Sequence, residues 1–292
     1  MTRKLRLGSA LVLAGALTAC SSGGTGGGGG WFNDLFAYKA VEEKPIEEYT
    51  AEEIFTRAEY DLEEGNNDDA AKWFGEVERL YPYSEWAKRA LIMQAYAYHK
   101  GHDFEDSRAA AQRFLTVYPG DSEAAYAQYL LALSYYDQIE AIGRDQGLTF
   151  QALQALREVI EKYPSTEYAR SAILKFDLAF DHLGAKEMEI GRYYLKRGHF
   201  TAAISRFRVV VEQFQTTSHT PEALYRLVES YLSLGMNDAA QSAGAILGHN
   251  FKGTEWYEDA YKLLTEKGLE PRATGTGWLA ALYRQVIKGE WL

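Results

Sequence analysis

An aromatic residue followed by a turn residue recurs five times, at Tyr81-Pro82, Tyr118-Pro119, Tyr163-Pro164, Phe214-Gln215 and Phe251-Lys252. What stands at fixed distances from these anchors repeats as well. Five residues before the second member come Val77, Phe114, Val159, Val210 and Leu247; eight before come Phe74, Ala111, Leu156, Phe207 and Gly244; twelve before come Ala70, Ser107, Ala152, Ala203 and Ala240. These offsets place the residues on one side of a helix, so the same helix face is written five times. Beyond the anchors, Ala87, Ala124 and Ala169 stand at plus five, Ala90, Ala127, Ala172, Ala223 and Ala260 at plus eight, and Tyr98, Tyr135, Phe180 and Tyr231 at plus sixteen. Small residues let helices approach closely, and large rings fill the space between one hairpin and the next.

This pattern resembles the tetratricopeptide repeat, a helix-turn-helix unit of about 34 residues. The resemblance implies an all-α, right-handed solenoid of five helix-turn-helix repeats, in which the first helix of each repeat, helix A, lines an extended concave surface. The anchors are 37, 45, 51 and 37 residues apart, so two repeats carry extra residues. In the third the excess falls at Asp137–Leu148, where Gly143-Arg144-Asp145-Gln146-Gly147 predicts a loop. In the fourth it lies between Asp177 and Ala203; Phe176–Leu195 still reads helical, which predicts a long helix pair. Glu255–Lys267 reads as a helix capping the open end, and Trp278–Ile287 as a short amphipathic segment that a partner would order. The expected organisation is an amino-terminal half over 47–164 with repeats one to three, a carboxy-terminal half over 165–267 with repeats four and five and the capping helix, and a tail over 268–292.

The body is preceded by a different kind of sequence. Arg3, Lys4 and Arg6 lead into an apolar stretch from Leu7 to Leu17, too short to span a bilayer core of about 30 Å and read as a secretory signal peptide over 1–19. It ends in Leu17-Thr18-Ala19-Cys20, which resembles the bacterial lipobox. That resemblance implies a covalent diacylglycerol and N-acyl lipid on Cys20, the chain's single cysteine, and no other cofactor; Ser21 after it resembles the outer-membrane sorting signal. The protein is then expected on the periplasmic face of the outer membrane, held through its lipid anchor. Ser21–Gly30 is a Gly-rich tether reaching roughly 17 Å r.m.s. within the segment 20–46, and Trp31, Phe32 and Phe36 follow it.

With 31 Lys+Arg against 41 Asp+Glu the formal charge is −10, and removal of the signal peptide takes it to −13. Such a field repels phosphate, which argues against nucleic acid and for protein partners. No nucleophile elbow, phosphate loop, zinc helix or paired-cysteine motif is present, so no catalytic residue is assigned and the chain is read as a binding protein, not an enzyme. His99 and His102 flank Gly101 and lack a third metal ligand; Arg144-Asp145 reads as a loop ion pair or a helix cap. Taking helix A as the concave lining, the peptide-binding groove is expected to present Phe55, Glu59, Tyr96, His99, Tyr126, Tyr129 and Tyr136. Rings at these positions also suit the core between repeats.

More specific stretches are Gly143-Arg144-Asp145-Gln146, the run Lys186-Glu187-Met188-Glu189-Ile190-Gly191-Arg192-Tyr193-Tyr194-Leu195-Lys196-Arg197-Gly198, Glu222-Ala223-Leu224-Tyr225-Arg226-Leu227, and Trp256-Tyr257. With the lipobox and the five repeats they resemble the BamD family, lipoproteins of the BAM machinery that inserts β-barrel proteins into the outer membrane. The resemblance runs from about Thr50 to Leu264; Gln215 and Lys252 stand where that family's repeats often have Pro. It implies that the carboxy-terminal repeats dock on the periplasmic domain of the barrel-forming subunit, BamA, beside accessory BAM lipoproteins. It implies too that the amino-terminal repeats read terminal signals of unfolded outer-membrane β-barrel proteins. Arg192, Tyr193, Tyr194 and Arg206 are the expected partner-binding residues, since exposed Arg on an acidic chain suits an acidic patch; the alternative for Arg192 to Tyr194 is packing inside the long helix pair. The alternative is a periplasmic repeat scaffold for cell-wall or secretion machinery.

Overall fold

Every anchor closes a helix. The aromatic members Tyr81, Tyr118, Tyr163, Phe214 and Phe251 are C-cap residues, each donating its N–H to the carbonyl of the apolar residue four back, at 2.8–3.0 Å. The carbonyl of each then accepts the N–H three residues on, from Ser84, Asp121, Thr166, Thr217 or Thr254, which folds the chain back into the next helix. Ser84 and Thr166 cap that helix, their hydroxyls accepting the N–H of Ala87 and Ala169. Thr50 and Glu53 form a reciprocal capping box at the first repeat.

The computed structural model describes residues 45–273 and 277–287. After a short 3-10 turn, twelve α-helices follow among these residues: α1 (Ala51–Glu63), α2 (Asn67–Leu80), α3 (Glu85–Lys100), α4 (Phe104–Val117), α5 (Ala124–Tyr136), α6 (Gly147–Lys162), α7 (Glu167–Lys196), α8 (Phe200–Gln213), α9 (Thr220–Ser233), α10 (Asn237–Asn250), α11 (Glu255–Thr265) and α12 (Trp278–Ile287). Each packs against the next from α1 to α11, and α1, α3, α5 and α7 also touch in succession, as do α9 and α11. That is the stacking of helix-turn-helix repeats, with α1, α3, α5, α7 and α9 as helices A and α2, α4, α6, α8 and α10 as helices B. The described residues hold no strand, and none of their helices is long and apolar enough to cross a membrane. The signal peptide, Cys20, the Gly-rich tether and Trp31, Phe32 and Phe36 lie outside the described residues.

The repeated positions are the core. Val77, Phe114, Val159, Val210 and Leu247 are fully buried, as are Ala70, Ala152, Ala203 and Ala240 and the plus-eight alanines from Ala90 to Ala260. Ser107 takes the alanine place in repeat two because its hydroxyl donates to Ala95 O at 2.9 Å and accepts from Ser134 Oγ at 3.0 Å, which satisfies a buried polar group. The turn from helix A to helix B is equally regular: Gly65, Gly198 and Gly235 have φ between +71° and +83°, and His102, at φ +63°, does the same in repeat two.

From Ile46 onward the chain is a single unit, and repeat four shows why the two expected halves are continuous. The insertion makes one helix, not the expected pair: α7 has 30 residues where the other helices A have 13 to 16. Nothing between Phe176 and Leu195 breaks it, and its two interior glycines are close-approach sites, Gly184 against Phe214 and Thr217, and Gly191 against the Phe207 ring. The second half of α7 pairs with α8; the first half lies on α5 and α6, through Tyr168 on Tyr126 and Arg157 on Phe176. The third-repeat insertion is a loop between α5 and α6, but Gln146, not Asp145, is the cap residue, and Arg144 reaches Glu140 at 3.7 Å rather than Asp145. The capping helix α11 buries Ala260 and Leu264 and ends two residues before the expected Lys267. The Trp278–Ile287 segment orders against the chain itself: Leu279, Ala280 and Leu282 of α12 are buried beside α10.

Candidate functional site

The helices A of repeats two to four bring tyrosines together. Tyr126 and Tyr129 of α5 both stack on Tyr168 at the start of α7, at 5.3 and 5.6 Å between centroids, and Tyr96 of α3 packs in the same cluster as Tyr126. All four rings are half-buried, presenting apolar faces with a polar tip. Burial pushes the Tyr126 hydroxyl well above the ordinary phenol range and raises that of Tyr129, so at neutral pH they serve as neutral hydrogen-bonding groups. Tyr168 belongs to this site and the sequence pattern did not single it out; its signal was a third ring falling at the next helix A.

The other expected groove residues are placed differently. Phe55 is fully buried, wedged between Phe74 at 5.2 Å and Trp86 at 5.0 Å beneath the Arg89 guanidinium, so it is core and not groove. Its position belongs to helix A, but Phe74 of α2 and Trp86 of α3 close over the ring and place it in the interior. Glu59 is half-exposed and lies 3.9 Å from Arg89. His99 sits at the end of α3, its Nε2 3.1 Å from Asp137 Oδ2 without hydrogen-bond alignment, and Tyr136 next to that aspartate carries Lys175 over its ring at 4.8 Å. The candidate site is therefore the cluster of Tyr96, Tyr126, Tyr129 and Tyr168, with Glu59 toward one end and the His99–Asp137 and Tyr136–Lys175 pairs beside it. Among the described residues no group of three metal-ligating side chains converges.

The four specific sequence stretches meet one after another across repeats three to five and the capping helix. Lys186 Nζ donates to Arg144 O at 3.3 Å. Arg192 donates to Glu222 at 2.6 Å, and Glu222 also accepts from Arg226. Arg226 pairs with Glu229 at 2.9 Å and lies over the rings of Tyr225 and Trp256, which stack on one another at 5.7 Å. Carboxylate contacts hold the Arg226 guanidinium charged against the cost of its partial burial. Of the expected partner residues, Tyr193 is 51% exposed with Arg197 stacked 3.6 Å over it, while Tyr194 packs inward against the core. Arg192 and Arg206 are not free cations, being paired with Glu222 and with Glu187 at 3.0 Å. They carry less net charge to a partner than isolated arginines would, because their neutralising carboxylates lie on the same chain.

A model of the YfiO family, described as outer membrane lipoprotein, matches residues 47–246. The chain belongs to the YfiO family. Its relatives include a Caulobacter vibrioides protein, 50% identical over 79% of this chain and 74% of that one, and a Rickettsia prowazekii protein, 43% identical over 67% and 78%. A Neisseria meningitidis protein is 27% identical over 74% and 85%. Each is named outer membrane protein assembly factor BamD. Among solved structures, the type IV pilus biogenesis factor PilW is 13% identical over 71% of this chain and 96% of that chain, at a TM-score of 0.33. In this YfiO-family chain, the Glu222, Arg226, Tyr225 and Trp256 cluster was visible in the sequence only as separate stretches. Their convergence depends on α9 stacking between α8 and α11.

Proposed function

We propose that this chain is a non-catalytic assembly factor for outer-membrane proteins, anchored to the outer membrane through lipid on Cys20 and acting by binding. The observation that carries the reading is the 50% identity, across most of both chains, to the Caulobacter protein named outer membrane protein assembly factor BamD. The repeat fold supports it, since stacked hairpins expose long surfaces suited to recognition. In this reading the Arg192–Glu222–Arg226 network with Tyr225, Trp256 and Tyr193 faces the periplasmic domain of the barrel-forming subunit, BamA. The tyrosines of α3, α5 and α7 face the terminal signals of unfolded β-barrel proteins, because half-buried rings give large contact area at little entropic cost.

The test is co-purification of the full-length lipoprotein from detergent-solubilised outer membrane, with mass spectrometry of what accompanies it, for the native chain and for Trp256→Ala. A large β-barrel protein with periplasmic domains accompanies the native chain and is depleted with the variant. Its equal recovery with both moves the interface elsewhere. Its absence from both, with cell-wall enzymes in its place, overturns the assembly reading.

A further inference from the structure

Two clefts between successive helices B occupy equivalent places in the repeat, and one of them holds a segment of this chain. Between α8, α9 and α10, Trp278 at the head of α12 enters the cleft, donates its indole N–H to Tyr231 OH at 3.1 Å, and lies under the Arg208 guanidinium at 4.7 Å. Arg208 stands seven residues before the second anchor residue of its repeat, and Tyr231 sixteen after it. One repeat earlier, the same offsets give Arg157 and Phe180. They line a cavity of about 430 Å³ between α6, α7 and the end of α8, together with Phe150, Leu153, Phe176 and Phe214. No segment among the described residues plays the part of α12 there.

The cavity is open because of the long helix. In repeat five, helix B starts six residues after Tyr231, so the beginning of α10 borders the cleft; in repeat four, α8 starts only at Phe200, twenty residues after Phe180. That displacement of about four turns leaves only the final residues of α8 beside the cavity. Phe150 is consequently 60% exposed, and Phe176 and Phe180 stack nearly parallel at 5.9 Å along the floor. Arg157 lies over Phe176 at 5.6 Å and makes no ion pair among the described residues. It is a cation poised over an aromatic floor, as Arg208 is over Trp278.

We propose that the cleft between α6, α7 and α8 is a docking site for an amphipathic helix of a partner protein that leads with Trp or Phe. The leading ring enters beside Phe176 and Phe180 with Arg157 over its face, and the apolar side of the helix covers Phe150, as α12 covers the equivalent place one repeat later. Helix-in-groove recognition of this kind takes its affinity from a few apolar anchors. The surface is distinct from the tyrosine groove and from the Arg226 network, so it stands or falls separately from the partners proposed above.

The probe is a fluorescently labelled synthetic peptide with the sequence of residues 277–287, titrated by anisotropy against the full-length protein in detergent. Saturable binding is expected, at least tenfold weaker for Phe150→Asp and for Arg157→Glu and lost when Trp278 of the peptide is replaced by Ala. Both protein substitutions fall on exposed side chains, and an unchanged thermal midpoint verifies folding. Arg208→Glu leaves peptide binding unaltered, because the filled cleft is not the one read. No binding to the native chain, or binding that falls with Arg208→Glu and survives Arg157→Glu, overturns the proposal. Sedimentation of the native chain as a dimer that Arg157→Glu dissolves also overturns it, since the occupant would then be a second copy's α12.

Discussion

Arg192 near the end of α7 donates to Glu222 in the first turn of α9 at 2.6 Å, joining two repeats, and the same carboxylate accepts from Arg226 at 3.3 Å. Glu222 is only 12% exposed, so its removal strips two guanidinium groups of a shared acceptor that solvent reaches poorly. Glu222→Ala is expected to destabilise the fold by about 1–2 kcal/mol, the lower part of the range for charged hydrogen bonds because both arginines remain partly solvated. Urea unfolding checks this. Glu229→Ala, which removes one more exposed partner, costs less than half as much.

His102 holds the left-handed turn position that Gly65, Gly198 and Gly235 hold in other repeats. A side chain in that conformation costs roughly 1–2 kcal/mol, partly offset by its ring contact with Phe104 at 5.6 Å and by the added unfolded-state freedom of a glycine. His102→Gly is therefore expected to raise stability by about 0.5–1 kcal/mol, read as a higher urea midpoint at unchanged slope.

The loop between α4 and α5 carries an acid-sensitive contact. Asp121 accepts the Glu123 backbone N–H at 2.9 Å and the Lys88 ammonium at 2.8 Å, and these hold its carboxyl below the ordinary value of 3.8. A carboxyl lowered in the folded state adds stability above its unfolded value, and that stability is lost as pH falls through the folded value. Asp121→Asn should lower the thermal midpoint at pH 7, and the gap to the native chain should close in acid, below pH 3.8. A gap constant from pH 7 to pH 2 would show that the charge contributes nothing.

Buried and groove aromatics should separate by readout. Phe55→Ala opens a cavity in the first repeat and is expected to cost about 3–5 kcal/mol, with any loss of activity following from unfolding. Tyr126→Ser and Tyr168→Ser remove half-buried rings from the tyrosine groove. Each is expected to weaken binding of a peptide from the terminus of a β-barrel protein about tenfold or more, while the barrel subunit still co-purifies.

The repeat was legible because its register is written in residue size. Alanines at plus eight and apolar residues at minus five must be buried wherever two helices cross closely, so their recurrence specifies hairpins without any long-range information. The turn aromatics likewise act within four residues of themselves, through backbone bonds that the local sequence controls. Phe55 was misplaced for the opposite reason. Its offset matches helix A, but whether a helix A ring faces a groove or an interior depends on what stacks beside it, and Phe74 of α2 and Trp86 of α3 close over this one.

The sequence by itself determined the five hairpins, their helical faces, the lengths of the two insertions and the similarity to a family of lipoproteins. Only the tertiary structure decided that the second insertion doubles one helix, because helix continuity across Phe176–Leu195 depends on α5 and α6 covering its first half and α8 its second. Only the stacked repeats bring Lys186 to Arg144, Arg192 to Glu222 and Arg226 to Trp256, since those partners lie on different elements and their meeting depends on the angle between repeats. The open cleft beside Phe150 and Arg157 has the same origin: a shift of helix B along its neighbour, which spacing counts as extra residues and packing turns into a surface.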